Sequence, residues 1–415
     1  MDLFFYRLFL MLYKAGISIA SVGNPKATLW INGRKNQQPI QLQPAKTVWM
    51  HCASLGEFEQ GRPVLEGIKR QFPTYKIVLS FFSPSGYEVR KNYKGADEVL
   101  YLPMDGKKQA EKFITAINPA LVIWVKYDYW FYFLTALKEK NIPVILVSGI
   151  YRESQPFFKW YGGMWRKMLQ CFYYFFVQTA QSKALLLQLG IEKNVMVSGD
   201  TRFDRVIEIA ESFTSISAQL DDFCRGSKVI VAGSTWDDDE AEIIHYAKAH
   251  PEIKFIIAPH EIDKENITDI LKEFKDAILY SELEHTKNAD SNSHVLIIDN
   301  IGMLSKLYHY ADITYVGGGF NDSGIHNILE AAVYGKPVIF GPEYGRAEEA
   351  KQLIDIGAAF SIENALALEK IFDALFADEN LLKNCSALAK QYVYQQQGAT
   401  SKIIDFIQEK RLLTN

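Results

Sequence analysis

The run Thr47-Val-Trp-Met-His-Cys52 has no formally charged side chain, and apolar residues fall on both of its alternating sets of positions. A strand like that is covered on both faces, which is the condition of a parallel sheet sandwiched by helices. Similar runs recur at Lys76–Phe82, Leu121–Val125, Val144–Val147, Phe175–Val177 and Val195–Val197, with helical stretches such as Gly56–Arg70 between them. The scheme repeats at Lys228–Ala232, Lys254–Ala258, His294–Ile298, Ile313–Val316 and Pro337–Phe340. Helices are expected at 239–250, 263–276, 301–310 and 325–334, and throughout 366–411. The alternation predicts an α/β protein of two doubly wound domains joined near Phe203–Ser217, and 415 residues suffice for two cores. The polar segment Ser281–Ser293 is expected to be a loop. Ligands of such sheets bind beyond the carboxyl ends of the strands, so the cleft between two domains is the expected active site.

Charge and cysteine usage exclude some classes. Lys and Arg number 45 against 49 Asp and Glu, a net charge of −4. The chain lacks the basic surplus that phosphate-backbone contacts require, and nucleic acid is not an expected partner. Cys52, Cys171, Cys224 and Cys385 are far apart, with no Cys-x-x-Cys pair. That spacing argues against zinc and against a disulfide framework, and for reduced, mostly buried thiols in a cytosolic protein. No cluster has metal-ligand spacing, so neither metal nor other cofactor is expected.

Leu3 to Val22 is almost wholly apolar, interrupted by Arg7 and Lys14. On a helix these two share one line, which Ser21 extends. A signal peptide would need a small-residue cleavage site, and the chain runs on into Asn24-Pro25-Lys26 without one. A spanning helix would have to hold two cations inside the bilayer. An interfacial helix accommodates both a cationic stripe and bulky Phe4, Phe5 and Phe9. The interfacial reading is preferred, with a spanning anchor and an ordinary buried helix as alternatives. Lys26, Arg34 and Lys35 favour anionic lipid or a phosphorylated substrate nearby.

The first strand leads into His51-Cys-Ala-Ser54-Leu-Gly56-Glu57-Phe-Glu59, where a helix opens. Read structurally, Ser54 caps that helix and Glu57 completes a capping box. Read functionally, Glu57 stands at a strand's carboxyl end, where a partly buried carboxylate accepts a proton from an incoming hydroxyl. Glu59 points to another helix face.

A second constellation follows Ile313–Val316. It runs Gly317-Gly-Gly319-Phe-Asn-Asp-Ser-Gly324, Ile325-His-Asn327-Ile-Leu-Glu330, then Gly335-Lys-Pro337-Val-Ile-Phe-Gly341-Pro342. Glycines let backbone N–H groups approach a phosphate, and a helix start adds more. A Glu one turn in can accept from ribose hydroxyls. A glycine-rich turn with a solvated Glu is the plainer reading; the whole run in strand–turn–helix context points to a nucleotide.

These runs resemble motifs of the bacterial 3-deoxy-D-manno-octulosonic acid (Kdo) transferases, glycosyltransferase family 30. His51–Glu57 is similar to their H-x-x-S-x-G-E. Gly324–Glu330 is similar to G-x-H-N-x-L-E, and Gly335–Pro342 to a following G-P-V-I-x-G-P-like segment. Lys26–Arg34, Ser83–Gly86, Gly199–Asp204, Ala232–Thr235 and Ala258–His260 also match, so the resemblance covers nearly the whole chain. It implies the GT-B fold, two doubly wound Rossmann-like domains facing a cleft, with an N-terminal hydrophobic helix. The implied parts are a membrane-associating helix at 1–24, an acceptor-binding domain at 25–205, a CMP-Kdo-binding domain at 206–395, and a C-terminal helix at 396–415 packing back on the first domain. The implied reaction is inverting transfer of Kdo from CMP-Kdo to a lipid A precursor at the cytoplasmic face of the inner membrane, in lipopolysaccharide synthesis, without a metal.

Carried over residue by residue, Glu57 matches the family's catalytic base. Pro259 and His260, then Ile301, Gly302 and Met303, then Asn327, Ile328, Leu329 and Glu330 match three CMP-contacting segments. Gly318, Gly319 and Ser234 join that donor set, while Arg202, Arg152 and Lys126 are candidates for the Kdo carboxylate or an acceptor phosphate. The chain departs from the family pattern in places. Glu261 follows His260 where a basic Arg is usual, and Arg202 stands where many members carry Lys. Lys126-Tyr-Asp128-Tyr-Trp130-Phe replaces Glu-x-Glu-x-Trp-Pro, and Ser148-Gly-Ile150-Tyr-Arg152 replaces an Asn-Ala-Arg segment. The alternatives are another GT-B enzyme using a UDP- or GDP-sugar, a nucleotide-sugar epimerase, and a non-catalytic membrane scaffold. An intact Glu57 and an intact Gly317–Glu330 run argue against the scaffold.

Overall fold

The computed structural model describes residues 3–37, 40, 42, 46–126, 128–285 and 293–414. The chain forms two compact units, Met1–Arg205 with Gln397–Asn415, and Val206–Gln396.

In the first unit, β1 (Thr47–Cys52), β2 (Lys76–Phe81), β3 (Glu98–Tyr101), β4 (Pro119–Val125), β5 (Val144–Gly149), β6 (Tyr174–Val177) and β7 (Val195–Val197) make one sheet. Its order is β3-β2-β1-β4-β5-β6-β7. All of its pairings are parallel. The chain winds outward from β1 to β3 and then lays β4 on the other side of β1, so the winding reverses between β1 and β4. Alternate side chains feed two cores. Trp49, Val122 and Trp124 enter one, and Val48, Met50 and Ile123 the other. Trp49 and Trp124 are fully buried and meet edge to face at 5.6 Å. Truncating either to Ala would cost about 3–5 kcal/mol.

Two helices precede this sheet, α1 (Leu3–Ala20) and α2 (Pro25–Lys35). Tyr6 and Leu10 of α1 join the Trp49 core. Tyr6 donates its hydroxyl to Asp105, whose carboxylate also takes the N–H groups of Tyr132 and Phe133 at 3.0 and 3.1 Å. One buried acid thus ties α1 to the start of helix Phe131–Glu139. Away from this contact α1 exposes Phe4, Phe5, Met11, Leu12 and Ile19. Arg7, Lys14, Ser18 and Ser21 line up between the packed and exposed faces, as their spacing requires. It is the one described helix long and apolar enough to cross a membrane. The other core is covered by α3 (Leu55–Gln71) and by helix Ala399–Glu409, which contributes Ile403, Ile404, Phe406 and Ile407.

In the second unit, β8 (Lys228–Thr235), β9 (Ile253–Pro259), β10 (Ile278–Leu279), β11 (Val295–Ile297), β12 (Ile313–Val316), β13 (Val338–Phe340) and β14 (Ala359–Ser361) make the other sheet. Its order is β10-β11-β9-β8-β12-β13-β14. It too is parallel throughout. Here the winding reverses between β8 and β12.

Several elements differ from expectation. β3, β10 and β14 were not predicted, and each is an edge strand. Their partial burial dilutes the apolar signal that marks a central strand. The helix expected at 301–310 contracts to Leu304–Leu307 and a 3-10 turn at Tyr308–Tyr310. That expected at 325–334 contracts to Leu329–Ala332. Its first residues bond to other loops instead, Ile325 N–H to Glu343 O and His326 N–H to Gly317 O. The stretch 366–411 is three helices, Ala365–Ala377, Glu379–Gln395 and Ala399–Glu409. Asp378 ends the first and caps the second, accepting from Asn380 and Leu381, and Gly398 turns the chain at φ 103°. In the expected loop Ser281–Ser293, Tyr280–His285 is helical and residues 286–292, with Asn288–Asn292, lie outside the described residues. All four cysteines are unpaired, and three are buried.

Candidate active site

Glu57 and Lys126 in the first sheet, and Ser234 and Gly317–Gly319 in the second, stand on the strands or loops where the winding reverses, the point at which adjacent loops part and leave a crevice. In the first unit Glu57 follows β1, while Lys126 and Asp128 follow β4. Arg152 follows β5, the next strand along. Glu57 sits in the first turn of α3, nearly buried at 7% exposure. Its Oε2 accepts the N–H of Ala53. The expected capping box does not form. Ser54 occupies the N-cap position in extended conformation but makes no side-chain cap bond, and Glu57 reaches one residue further back. The acid is therefore oriented by the loop before the helix. Beside it, a Cβ built on Gly56 would meet nothing within 4 Å.

Glu59 is engaged elsewhere, 2.7 Å from Arg90 and 3.7 Å from Arg62. Arg202 is held by Asp200 at 2.8 Å through both Nε and Nη2. Lys126 adopts a left-handed φ of 62°, its N–H bonded to Val147 O, and Arg152 lies exposed on the loop after β5. Below them is a group that the sequence did not announce. His51 is fully buried, with Nδ1 2.9 Å from Ser80 Oγ and Nε2 3.4 Å from Asp128 Oδ2. Trp49 donates to the same Ser80 at 2.8 Å, and Trp130 donates to Asp128 at 3.2 Å.

In the second unit Ser234 lies near the carboxyl end of β8 at φ 54°, where the register to β9 shifts, and Gly317–Gly319 follow β12. The glycines serve close packing more than open N–H groups. Gly317 donates to Gly233 O, and Gly318, at φ 93°, donates to the buried Asp239 at 2.9 Å. A Cβ on Gly317 would lie 2.3 Å from Ser234 O, and one on Gly319 2.6 Å from Gly341 N. Asp239 also accepts from Tyr315 at 2.7 Å and from the Trp236 N–H at 2.9 Å. Burial raises its carboxyl above the ordinary value against these bonds.

Pro259 and His260 end and follow β9, and Ile301, Gly302 and Met303 follow β11. Ile301 is exposed. Trp236, His260 and His326 form a column, each ring 4.5 Å from the next. Burial, with His260 next to it, lowers His326 to about 4, and burial also lowers His260. The rings are therefore neutral near pH 7. Asn327 donates to Glu330 at 3.0 Å, while its buried Oδ1 has no hydrogen-bond partner. Ile328 and Leu329 are wholly buried, so any donor contact from them is through the main chain. Sequence reasoning missed Trp236 and Asp239 as site residues, and His326 was seen only as a letter in a motif. Among the described residues no group of three or more His, Cys, Asp or Glu side chains could hold a metal ion.

A profile of the family described as 3-deoxy-D-manno-octulosonic-acid transferase (kdotransferase) matches residues 27–205. A bifunctional glycosyltransferase/methyltransferase of Fusobacterium nucleatum is 29% identical over 366 residues, 86% of this chain and 56% of that relative. This chain thus spans little more than half the length of that relative. The 3-deoxy-D-manno-octulosonic acid transferase of Aquifex aeolicus is 27% identical over 328 residues, 77% of this chain and 83% of the relative. Among solved structures, the UDP-GlcNAc 2-epimerase of Neisseria meningitidis bound to UDP-GlcNAc superposes with a TM-score of 0.64 at 17% identity, covering 88% of this chain and 100% of that one. That likeness shows a shared fold, the GT-B arrangement of two parallel α/β units.

Proposed function

We propose that this chain, whose residues 27–205 match the 3-deoxy-D-manno-octulosonic-acid transferase family and which is similar to such transferases over most of its length, transfers Kdo from CMP-Kdo to a hydroxyl of a lipid A precursor, with inversion. The observation that carries this reading is Glu57, a nearly buried carboxylate oriented by Ala53 at the winding reversal of the first sheet, with open space beside it at Gly56. Glu57 takes the proton of the acceptor hydroxyl as its oxygen bonds to the anomeric carbon of Kdo. The bond from that carbon to the CMP phosphate breaks, and CMP leaves with the electron pair. A positioned base of this kind contributes roughly 10²–10⁴ in rate.

The donor falls to the second unit. The end of β8 and the segments after β9, β11 and β12 carry Ser234, His260, Ile301–Met303, Gly318, Gly319, Asn327 and Glu330 at the carboxyl edge of the sheet. Asn327 and Glu330 are bonded to each other, which presents the Glu330 carboxylate in a set orientation for a ribose. On the first unit Lys126 and Arg152 are the candidates for the Kdo carboxylate or an acceptor phosphate. Arg202 can serve only while sharing its guanidinium with Asp200. No metal is required in this scheme. The packing of Tyr6 and Leu10 against the first core, with an apolar face left outward, favours α1 lying in the headgroups at the cytoplasmic face of the inner membrane.

The test is transfer from CMP-Kdo, generated in situ, to a tetra-acylated lipid A precursor by wild type and by Glu57→Gln. Product from wild type and a loss of roughly 10² or more in the folded variant is expected. Equal turnover in the two would remove Glu57 from the mechanism, and no product from either would move the reaction to another donor or acceptor.

A further inference from the structure

The first unit holds a cavity of about 310 Å³ between α1, α2 and the segment after β3. Lys14 and Ser18 line it from α1, Arg34 and Lys35 from α2, and none of its lining residues is acidic. Arg34 is the fixed element. Its N–H groups reach the carbonyls of Leu102 at 2.9 Å, Trp30 at 3.2 Å and Phe82 at 2.6 Å. Its guanidinium lies 3.8 Å over the Trp30 ring and 4.9 Å over both Phe82 and Tyr101. Burial lowers its pKa only to about 9, so it stays a cation at neutral pH, and among the described residues no carboxylate pairs with it. Lys14 and Lys35 approach the same cavity from two helices, and among the described residues neither forms an ion pair. Three positive charges around a pocket without an acid suit an anion with more than one charge, and ammonium donors suit phosphate oxygens.

The surroundings say what carries that anion. Lys14 and Ser18 belong to the polar line of α1, whose neighbouring arc exposes Phe4, Met11, Leu12 and Ile19 to solvent. A free anion has no use for such a shelf, whereas a phosphorylated amphiphile does. The cavity is also connected to the catalytic edge. Tyr13, beside Lys14, lies 6.0 Å from the Phe82 ring, which lies 4.5 Å from Trp130, the donor to Asp128.

We propose that the cavity between α1 and α2 is a phosphomonoester site that takes the headgroup phosphate of a phosphorylated glycolipid, with its acyl chains along the outer arc of α1. In its assignment to the acceptor the proposal rests on the transferase reading above. The experiment uses the full chain in detergent micelles, with Lys14→Gln/Lys35→Gln beside a charge control at the C-terminal end of helix Phe131–Glu139, Lys138→Gln/Lys140→Gln. Two measurements are made. One is KM and kcat for a tetra-acylated glucosamine disaccharide bisphosphate and for its dephosphorylated form. The other is binding of those two lipids, of phosphatidylglycerol and of inorganic phosphate, without donor. The cavity variant is expected to raise KM for the bisphosphate roughly tenfold with kcat within about twofold, the size of a lost charged hydrogen bond. It is expected to leave the dephosphorylated acceptor unchanged and to weaken binding of the bisphosphate alone. An equal shift for both acceptors, or equal loss of phosphatidylglycerol, would mean a general membrane-anchoring charge and overturn the proposal. Inorganic phosphate binding as tightly as the lipid, and lost in the same variant, would overturn the glycolipid assignment. If no Kdo is transferred at all, the transferase reading fails while the binding measurements still decide the cavity.

Discussion

Trp236 donates its indole N–H to Nε2 of His326 across 3.3 Å. Nε2 is thereby an acceptor, and His326 is the neutral tautomer that carries its proton on Nδ1. Stacked on His260, it can offer that N–H to a bound donor without bringing a charge.

The titration of His326 has a consequence for stability. The ring ionises at about 4 in the folded chain, against an ordinary 6.5. As pH falls the unfolded chain takes the proton first. The contribution of the neutral ring is therefore whole above 6.5 and is lost between about 6.5 and about 4. Melting temperature is expected to fall more steeply over that window in wild type than in His326→Asn. Parallel curves for the two would contradict the assignment.

Asp105 titrates with the opposite sign. Burial lifts its carboxyl to about 6 despite bonds from Tyr6, Tyr132 and Phe133. Here the folded chain holds the proton longer, so the stabilising contribution is full below the ordinary 3.8 and lost as pH rises through about 6. Hydrogen exchange in α1, corrected for intrinsic rates, is expected to be faster relative to pH 5 once the pH exceeds 7. The difference should shrink in Asp105→Asn.

Gly56 separates folding from function. Its φ is not left-handed, and an added Cβ would touch nothing in the chain. Gly56→Ala should leave melting unchanged or raise stability by up to about 1 kcal/mol, since Ala is the better helix former. Gly56→Val should remain folded yet raise the acceptor KM roughly tenfold or more, because the open space beside Glu57 is then filled. Full activity in the valine variant would mean that no substrate occupies that space.

Gly317 is the contrasting case. A methyl group there would collide with Ser234 O and stand 2.7 Å from Asp239 Oδ2. Gly317→Ala is expected to cost about 1–3 kcal/mol in urea unfolding, as overpacking does. CMP should also lose affinity, since the loop that carries Gly318 and Gly319 must shift.

Much of the fold was legible because central strands are covered on both faces. Thr47–Cys52 and Ile313–Val316 carry no formally charged side chain and apolar ones on both alternating sets of positions, and the structure keeps both boundaries. The edge strands Glu98–Tyr101, Ile278–Leu279 and Ala359–Ser361 were not legible, since an edge is covered on fewer sides and its composition drifts toward that of a loop. Glu57 stood out because strand, turn and carboxylate are contiguous in the chain.

Three pairings within the candidate site were decided by tertiary structure alone. His51 meets Asp128, Trp236 meets His326, and Asp239 meets Gly318 across separations of 77, 90 and 79 residues. No local pattern specifies such pairs. They follow from which strands the winding sets side by side, β1 with β4 and β8 with β12, and from the need of each buried polar atom for a partner once water is gone. Local periodicity determined which segments are strands and helices, whereas strand order decided which of their loops face one another.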